Sequence, residues 1–219
     1  RLVVPPHVFE AIAANSTDAA ERKTALKSLA LDTTLRSLRL ARQLSAPPLR
    51  VAPAPALAAH KQRAIYTAGG GTTLPGTQQR SEGQDPTGDP AVDEAYDGLG
   101  ATFDLYWNIF KRNSIDNAGL NLIGTVHYDQ NYDNAFWDGS QMIFGDGDGN
   151  YFSRFTISID IVGHELTHGV TAHEANLTYQ GQSGALNESV SDVFGSMVKQ
   201  YAHSPQQTSA EADWLIGAG

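Results

Sequence analysis

The stretch that decides the fold is His164-Glu165-Leu166-Thr167-His168, within a run of helical apolar spacing from about Ser158 to Glu174. Residues four apart on a helix lie on one face, so both imidazoles can reach one metal ion at the ~2.0–2.1 Å typical of zinc and nitrogen. Glu165 lies about 100° round the helix from His164. From there its carboxylate can take a proton from a water molecule on the metal without binding the metal itself.

A catalytic zinc site also needs a third protein ligand and an open position. Glu188, on the next predicted helix, is the candidate, and Asp192 follows it by four residues on the same face. One carboxylate can bind zinc while the other orients a ligand imidazole. The alternative is a solvated acidic face, but the neighbours Val190, Val193 and Phe194 are expected to face the core.

Composition narrows the chemistry further. The 219 residues contain no Cys, so a metal must be held by His, Asp, Glu or backbone oxygen. The net charge of −9 argues against a nucleic-acid partner. The apolar fraction of 41% is ordinary for a globular protein, and no apolar run is long enough to span a bilayer, so no membrane partner is expected.

Residues 1–45 differ from the rest. The pattern predicts a short helix after Pro5-Pro6, a second helix capped by Thr17 or Asp18, and a third, basic amphipathic stretch over Thr34–Arg42. The Ala/Pro-rich residues 46–60 are typical of a semi-rigid linker. We therefore expect a small helical unit separated from the remainder by this linker.

The remainder predicts an α+β fold. Residues 61–157 are rich in strand signals and form a β-rich lobe, packed on the central metal-binding helix, and residues 158–219 continue into the start of a helical lobe. Asp138-Gly139 marks a hairpin. Ser158 can cap the metal-binding helix, and a glycine-rich turn at 180–184 precedes a helix from Ala185 to about Tyr201. Strands are expected at 63–67, 122–128, 135–137 and 141–144, with a helix from Asp89 or Pro90 to about Phe110.

Three motifs together closely resemble the thermolysin-type neutral zinc metallopeptidases. These are 164–168, Gly184-Ala185-Leu186-Asn187-Glu188-Ser189-Val190-Ser191-Asp192, and Asn134-Ala135-Phe136-Trp137-Asp138-Gly139. The resemblance covers about residues 63–219. The N-terminal segment (residues 1–45), with Pro5-Pro6-His7, is similar to the short propeptide of the protealysin subgroup, so the chain would be a precursor.

The resemblance implies a role for each matching residue. His164, His168 and Glu188 would bind zinc, Glu165 would act as general base and proton shuttle, and Asp192 and Asn187 would orient the ligands. Tyr179 would steady the developing oxyanion, and Asn134, Ala135 and Phe136 would hold an extended substrate.

The implied reaction is endopeptide hydrolysis through a zinc-bound water, before bulky apolar residues, by a secreted enzyme acting on peptide or protein substrates. The family also has a transition-state histidine in a C-terminal domain, and this chain stops before that region. By itself it is expected to bind zinc but cleave poorly. The alternative is a non-catalytic zinc-binding fragment or peptidase-like binding module, against which the intact Glu165 argues.

Calcium is doubtful as a second cofactor. Asp146 begins a stretch that mimics an EF-hand, but Tyr151 stands where that loop needs Gly. The family's calcium cluster uses the position of Asp160 and a carboxylate where this chain has Lys199. We hypothesise that the lysine ammonium lies beside Asp160 and that the site is lost or reduced, which leaves Asp160 and Asp146 as candidate cation ligands only.

The N-terminal segment is expected to inhibit its own peptidase part. Pro5, Pro6 and His7 would lie in the cleft as the inhibitory motif. Either His7 approaches the zinc, or the segment is a hydrophobic plug that never touches the metal, and the second alternative is favoured.

Overall fold

The computed structural model of the chain describes residues 4–45, 58–59, 61–203 and 205–218. Most of the predicted linker at 46–60 therefore lies outside the described residues, as do most side chains of the predicted basic stretch 34–42. Within the described residues the fold is α+β, as predicted. The elements are α1 (Pro6–Asn15), α2 (Ala19–Ser45), β1 (Arg63–Thr67), β2 (Thr77–Ser81), α3 (Pro90–Phe110), β3 (Leu122–Val126), β4 (Ala135–Trp137), β5 (Met142–Phe144), α4 (Ile159–Glu174) and α5 (Gly181–Ala202).

The N-terminal segment forms two helices. Pro6 opens α1, where its missing N–H costs nothing. Asp18 accepts from the Ala20 N–H at 2.7 Å at the start of α2. The predicted second helix and the basic stretch 34–42 form one helix, because α2 runs on to Ser45. No Gly or Pro interrupts residues 19–45, so nothing in the chain stops the helix there.

One mixed sheet supports the site. Its strand order is β2-β1-β3-β5-β4. The three inner strands β1, β3 and β5 are parallel, and β2 and β4 are antiparallel edge strands. The predicted hairpin joins β4 and β5, where the Asp138 carboxylate accepts from the Ser140 and Gln141 N–H groups. Strand β4 is thus an edge strand, and its Trp137 N–H contacts Glu165 of α4.

Helix α3 packs against both the sheet and α4. Asp89 caps it by accepting from the Ala91 N–H at 3.0 Å, so the helix starts at Pro90, one of the two predicted starts. Gly98 faces Val162 of α4 so closely that a Cβ at Gly98 would lie 2.9 Å from the valine side chain. The main core also takes in Val4 and Phe9, so the N-terminal segment and the rest of the described chain share one apolar core.

The two helices that carry the metal motifs differ slightly from their predicted ends. Ser158 lies at the N-cap position of α4, but its side chain makes no capping hydrogen bond. Helix α5 begins at Gly181, four residues before the predicted start, so part of the expected glycine-rich turn is its first turn. Val193, expected in the core, is 52% exposed.

Among the described residues, no helix is both long enough and apolar enough to cross a bilayer.

Candidate metal centre

The centre begins with two buried imidazoles on one face of α4. The Nε2 atoms of His164 and His168 lie 3.0 Å apart, and the ring planes are nearly perpendicular. This follows from the i, i+4 spacing on a continuous helix. The predicted pair of ligands therefore meets at one point.

Helix α5 brings the third candidate ligand to the same point. Carboxylate oxygens of Glu188 lie 3.6 Å from His164 Nε2 and 3.7 Å from His168 Nε2. His164, His168 and Glu188 each offer a donor atom within 4.8 Å of the others. Among the described residues they are the group of His, Asp and Glu side chains with this geometry.

Both imidazoles are oriented from α5 through their other nitrogen. His164 Nδ1 lies 2.9 Å from the Asp192 carboxylate, and His168 Nδ1 lies 2.7 Å from Asn187 Oδ1. The predicted orienting roles of Asp192 and Asn187 are compatible with these contacts. Oxygen acceptors at Nδ1 favour a proton on that nitrogen, which leaves the Nε2 lone pairs to face each other.

This donor set fits zinc. Two converging Nε2 lone pairs 3.0 Å apart repel each other unless a cation lies near both. Burial, and then repulsion from Asp192, raises the pKa of Glu188 to about 8. A cation would favour the charged carboxylate. Two His and one Glu are a ligand set of catalytic zinc sites, so His164, His168 and Glu188 would hold the ion.

The candidate base Glu165 is fully buried beside the sheet edge. Its Oε2 accepts from the Trp137 N–H of β4 at 3.0 Å. Tyr179, in the loop before α5, sets its ring edge-to-face against His168 with centroids 5.8 Å apart. Tyr179 thus contacts the His168 ring, and Glu165 contacts the β4 edge.

The predicted substrate edge is already engaged by the N-terminal segment. Asn134 Oδ1 accepts from the Val4 N–H at 3.1 Å, and its Nδ2 donates to the Val4 carbonyl at 3.4 Å. Ala135 is fully buried in β4, and the Phe136 side chain packs in a second apolar cluster rather than in an open groove. Val4 therefore pairs with Asn134 through both of its backbone groups.

The Pro5-Pro6-His7 motif itself starts α1. Pro5 is the N-cap, Pro6 is the first helical residue, and the His7 side chain is exposed. His7 is not among the three clustered metal-ligand side chains. Among the described residues of the N-terminal segment, Val4, directly before the motif, meets the predicted substrate edge.

Helix α2 adds a second contact to this edge. Asp32 is fully buried, and its carboxylate accepts from Asn134 Nδ2 at 3.1 Å and from the Tyr132 hydroxyl at 3.3 Å. Lys27 pairs with Asp129 at 2.7 Å. Burial, and then the Asp32 carboxylate, raises the pKa of Tyr132 well above its ordinary value.

The two candidate calcium carboxylates lie in separate polar clusters. Asp160 accepts from the Gly217 N–H at 3.2 Å and lies 3.5 Å from the Lys199 ammonium, the arrangement hypothesised from the sequence. Asp146 bonds to His127, whose other ring nitrogen meets Asp89 at 2.9 Å. Burial disfavours the charged ring, but these two carboxylates outweigh it and raise the pKa of His127.

Sequence reasoning missed residues that hold the centre together. A Cβ at Gly195 of α5 would lie 2.6 Å from the Asp160 carbonyl oxygen of α4. A Cβ at Gly163 would lie 2.9 Å from Val198. Two glycines at facing positions of consecutive helices are the signal that indicates such a close crossing. Val4 and Asp32 carried no comparable signal, because their partner Asn134 is more than 100 residues away.

Comparison with known proteins adds the family. The family description "Thermolysin metallopeptidase, catalytic domain" matches residues 57–172, and "Thermolysin metallopeptidase, alpha-helical domain" matches residues 175–219. An extracellular metalloprotease of Pectobacterium carotovorum subsp. carotovorum is 53% identical over 216 residues, which are 99% of this chain and 59% of that protein.

Two further comparisons agree. Protease PrtS of Photorhabdus sp. (strain Az29) is 54% identical over 155 residues, which cover 71% of this chain and 41% of that protein. The solved precursor of protealysin, a metalloproteinase from Serratia proteamaculans, superposes with a TM-score of 0.80 at 49% identity, over 99% of this chain and 60% of that one. This chain spans about 60% of the length of those two full-coverage relatives. The His-His-Glu cluster is consistent with these matches, which show that the chain belongs to the thermolysin metallopeptidase family.

Proposed function

We propose that the chain carries the zinc centre of a secreted endopeptidase in its precursor form. The observation that carries the proposal is the convergence of two Nε2 atoms and the Glu188 carboxylate beside a buried Glu165. The relative from Pectobacterium is named an extracellular metalloprotease, which supports secretion here. Family membership supports peptide and protein substrates cleaved before bulky apolar residues.

Different residues of the chain have different roles in the proposed reaction. When bound, zinc supplies Lewis acidity that lowers the pKa of a coordinated water. Glu165 accepts the water proton at its carboxylate and returns it to the leaving amine. The Trp137 N–H bonds to Glu165 Oε2 and so fixes the direction of the carboxylate. Tyr179 donates its hydroxyl proton toward negative charge that develops on the substrate carbonyl oxygen.

Substrate would add to the β4 edge. Asn134 offers both an acceptor and a donor, and its contacts with Val4 support the idea that an extended peptide pairs with it in the same way. The N-terminal segment then acts as an inhibitor inside the same molecule, by covering this edge. The contact is made by a buried apolar residue, which favours the plug alternative over a histidine that reaches the metal.

Elemental analysis of the 219-residue chain after dialysis tests the zinc centre. We expect about one zinc per chain in the parent and in Glu165→Gln, and none in Glu188→Ala. Zinc that persists in Glu188→Ala would contradict the ligand assignment.

Cleavage of a fluorogenic peptide with blocked ends and Leu after the scissile bond tests the reaction. Glu165→Gln should lower the rate by about 10²–10⁴-fold with zinc retained, because only the base is lost. A chain that holds zinc but cleaves no peptide, even after residues 1–45 are removed, would favour the non-catalytic binding module instead.

A further inference from the structure

The His168 ring has two oxygen neighbours at one nitrogen. Besides Asn187 Oδ1 at 2.7 Å, the Ser191 hydroxyl oxygen lies 3.0 Å from His168 Nδ1. Ser191 is fully buried on α5, four residues after Asn187. His164 contacts the residues that directly follow these two on the same helix, Glu188 and Asp192.

The spacing explains this division. Residues 187 and 191 form one i, i+4 pair on α5, and residues 188 and 192 form a second pair beside it. The first pair meets Nδ1 of His168, and the second pair meets His164, with Glu188 also 3.7 Å from His168 Nε2. Each ring of α4 is therefore contacted by two consecutive turns of α5.

Two acceptors restrain an N–H more than one does. With only Asn187, the imidazole can rotate about its Cβ–Cγ bond while it keeps one hydrogen bond. With Ser191 on the same nitrogen, the N–H is shared between two oxygens and the ring plane is restrained. A restrained ring directs its Nε2 lone pair toward the Glu188 side of the centre.

The geometry points to Ser191 as a positioning residue that, with Asn187, holds the His168 imidazole in the orientation required for zinc binding. This inference rests on the proposed zinc centre. The alternative is that Ser191 is only a small side chain that lets α4 and α5 pack closely and does not orient His168. Ser191→Ala separates the two, because it keeps the small size and removes the hydroxyl, and Ala is a better helix former than Ser.

The test is a zinc competition titration of the 219-residue chain against a chromophoric chelator. We expect Ser191→Ala to weaken zinc binding about tenfold, at the lower end of the effect of removing an outer contact to a ligand. The matched control is Ser196→Ala, another buried serine of α5, which should leave zinc affinity unchanged. The thermal midpoints of the zinc-free chains give the purely structural cost of each change.

A spectroscopic measurement reads the hydrogen bond directly. In the zinc-loaded chain labelled with ¹⁵N-histidine, the Nδ1 proton resonance of His168 should move upfield in Ser191→Ala, while that of His164 stays in place. Unchanged zinc affinity in Ser191→Ala would overturn the inference, whether or not the His168 resonance moves. A parent chain that binds no zinc would overturn the proposed function as well, whereas normal zinc binding by both parent and variant would remove only the role of Ser191.

Discussion

At the scale of single residues, each imidazole of the proposed zinc centre is oriented by the group that its second nitrogen contacts. His164 faces a carboxylate and His168 faces a neutral amide, although both belong to the same short motif. A carboxylate partner makes an imidazole a stronger donor to a metal than an amide partner does. The two ligands are thus chemically alike and electrostatically different.

The ionisation of the single residue Asp133 makes the free energy of unfolding depend on pH. It is 2% exposed beside the proposed substrate edge, and its Oδ1 has no hydrogen-bond partner among the described residues. Burial, and then repulsion from Asp148, raises the pKa of Asp133 to about 7. In the unfolded chain this carboxyl titrates near its ordinary pKa of about 4.

The sign follows from proton linkage. Between about pH 4 and 7 the folded chain binds more protons at Asp133 than the unfolded chain, so this group lowers the free energy of unfolding as pH rises. Asp133→Asn removes the buried charge, so at pH 8 it should raise the free energy of unfolding by about 2–4 kcal/mol. Urea denaturation at pH 5 and pH 8 measures this, with the exposed Asp85→Asn as control. An equal effect at both pH values would show that Asp133 is not the titrating group.

At the scale of helices and strands, the close crossing of α4 and α5 determines the geometry of the metal centre. Gly195→Val would place side-chain carbon against the Asp160 carbonyl oxygen, where even a Cβ comes within 2.6 Å. The helices must then separate, which moves Glu188 away from the imidazoles. We expect stability to fall by about 1–3 kcal/mol, as overpacking does, and zinc binding to weaken at least tenfold. Gln182→Ala, exposed on the same helix, is the control, and zinc binding equal to the parent would contradict this account.

Lys199 joins α5 to the segment that follows it. Its ammonium donates to the Asp213 carboxylate at 3.1 Å and to the carbonyl oxygens of Leu215 and Ala218 at 3.3 and 3.2 Å. Oxygen atoms of this kind also suit a hard cation, so the ammonium takes a position of that type. Lys199→Ala should therefore speed amide hydrogen exchange over residues 213–218.

Calorimetry tests the calcium hypothesis on the same cluster. Because a fixed positive charge lies 3.5 Å from Asp160, the parent chain should show no tight calcium binding there. Tight binding that disappears in Asp160→Asn would show that the ammonium does not replace the cation.

For the whole molecule, the N-terminal segment and the peptidase part meet at Asn134. Asp32→Ala would leave the Tyr132 hydroxyl and the Asn134 amide without the carboxylate they share, at a cost of about 1–3 kcal/mol. We expect faster hydrogen exchange at residues 4–15 and about tenfold higher peptidase activity of the intact chain, because the substrate edge is uncovered more often.

Glu10→Gln is the matched control for this prediction, since Glu10 is exposed on α1. It should change neither exchange nor activity. If Asp32→Ala behaved like the control, the N-terminal segment would have to be held by its apolar contacts alone.

Local sequence determined the parts of this protein that depend on spacing. The i, i+4 histidines, the start of α3 at Asp89 or Pro90 and the Asp138 hairpin each depend on residues within a few positions of one another, and all three were predicted. The continuation of the predicted second helix through the basic stretch to Ser45 and the early start of α5 were missed, because local signals mark helix ends less reliably than helix interiors.

The tertiary structure alone decided which distant groups meet. The approach of Glu188 to the imidazoles depends on glycines at one helix crossing. The pairing of Val4 and Asp32 with Asn134 depends on how the chain returns over the sheet edge. Such contacts join residues far apart in the chain and are stabilised by the shared burial of apolar surface, which has no direction of its own. The motif thus determined the chemistry of the centre, and packing decided its geometry and what covers it.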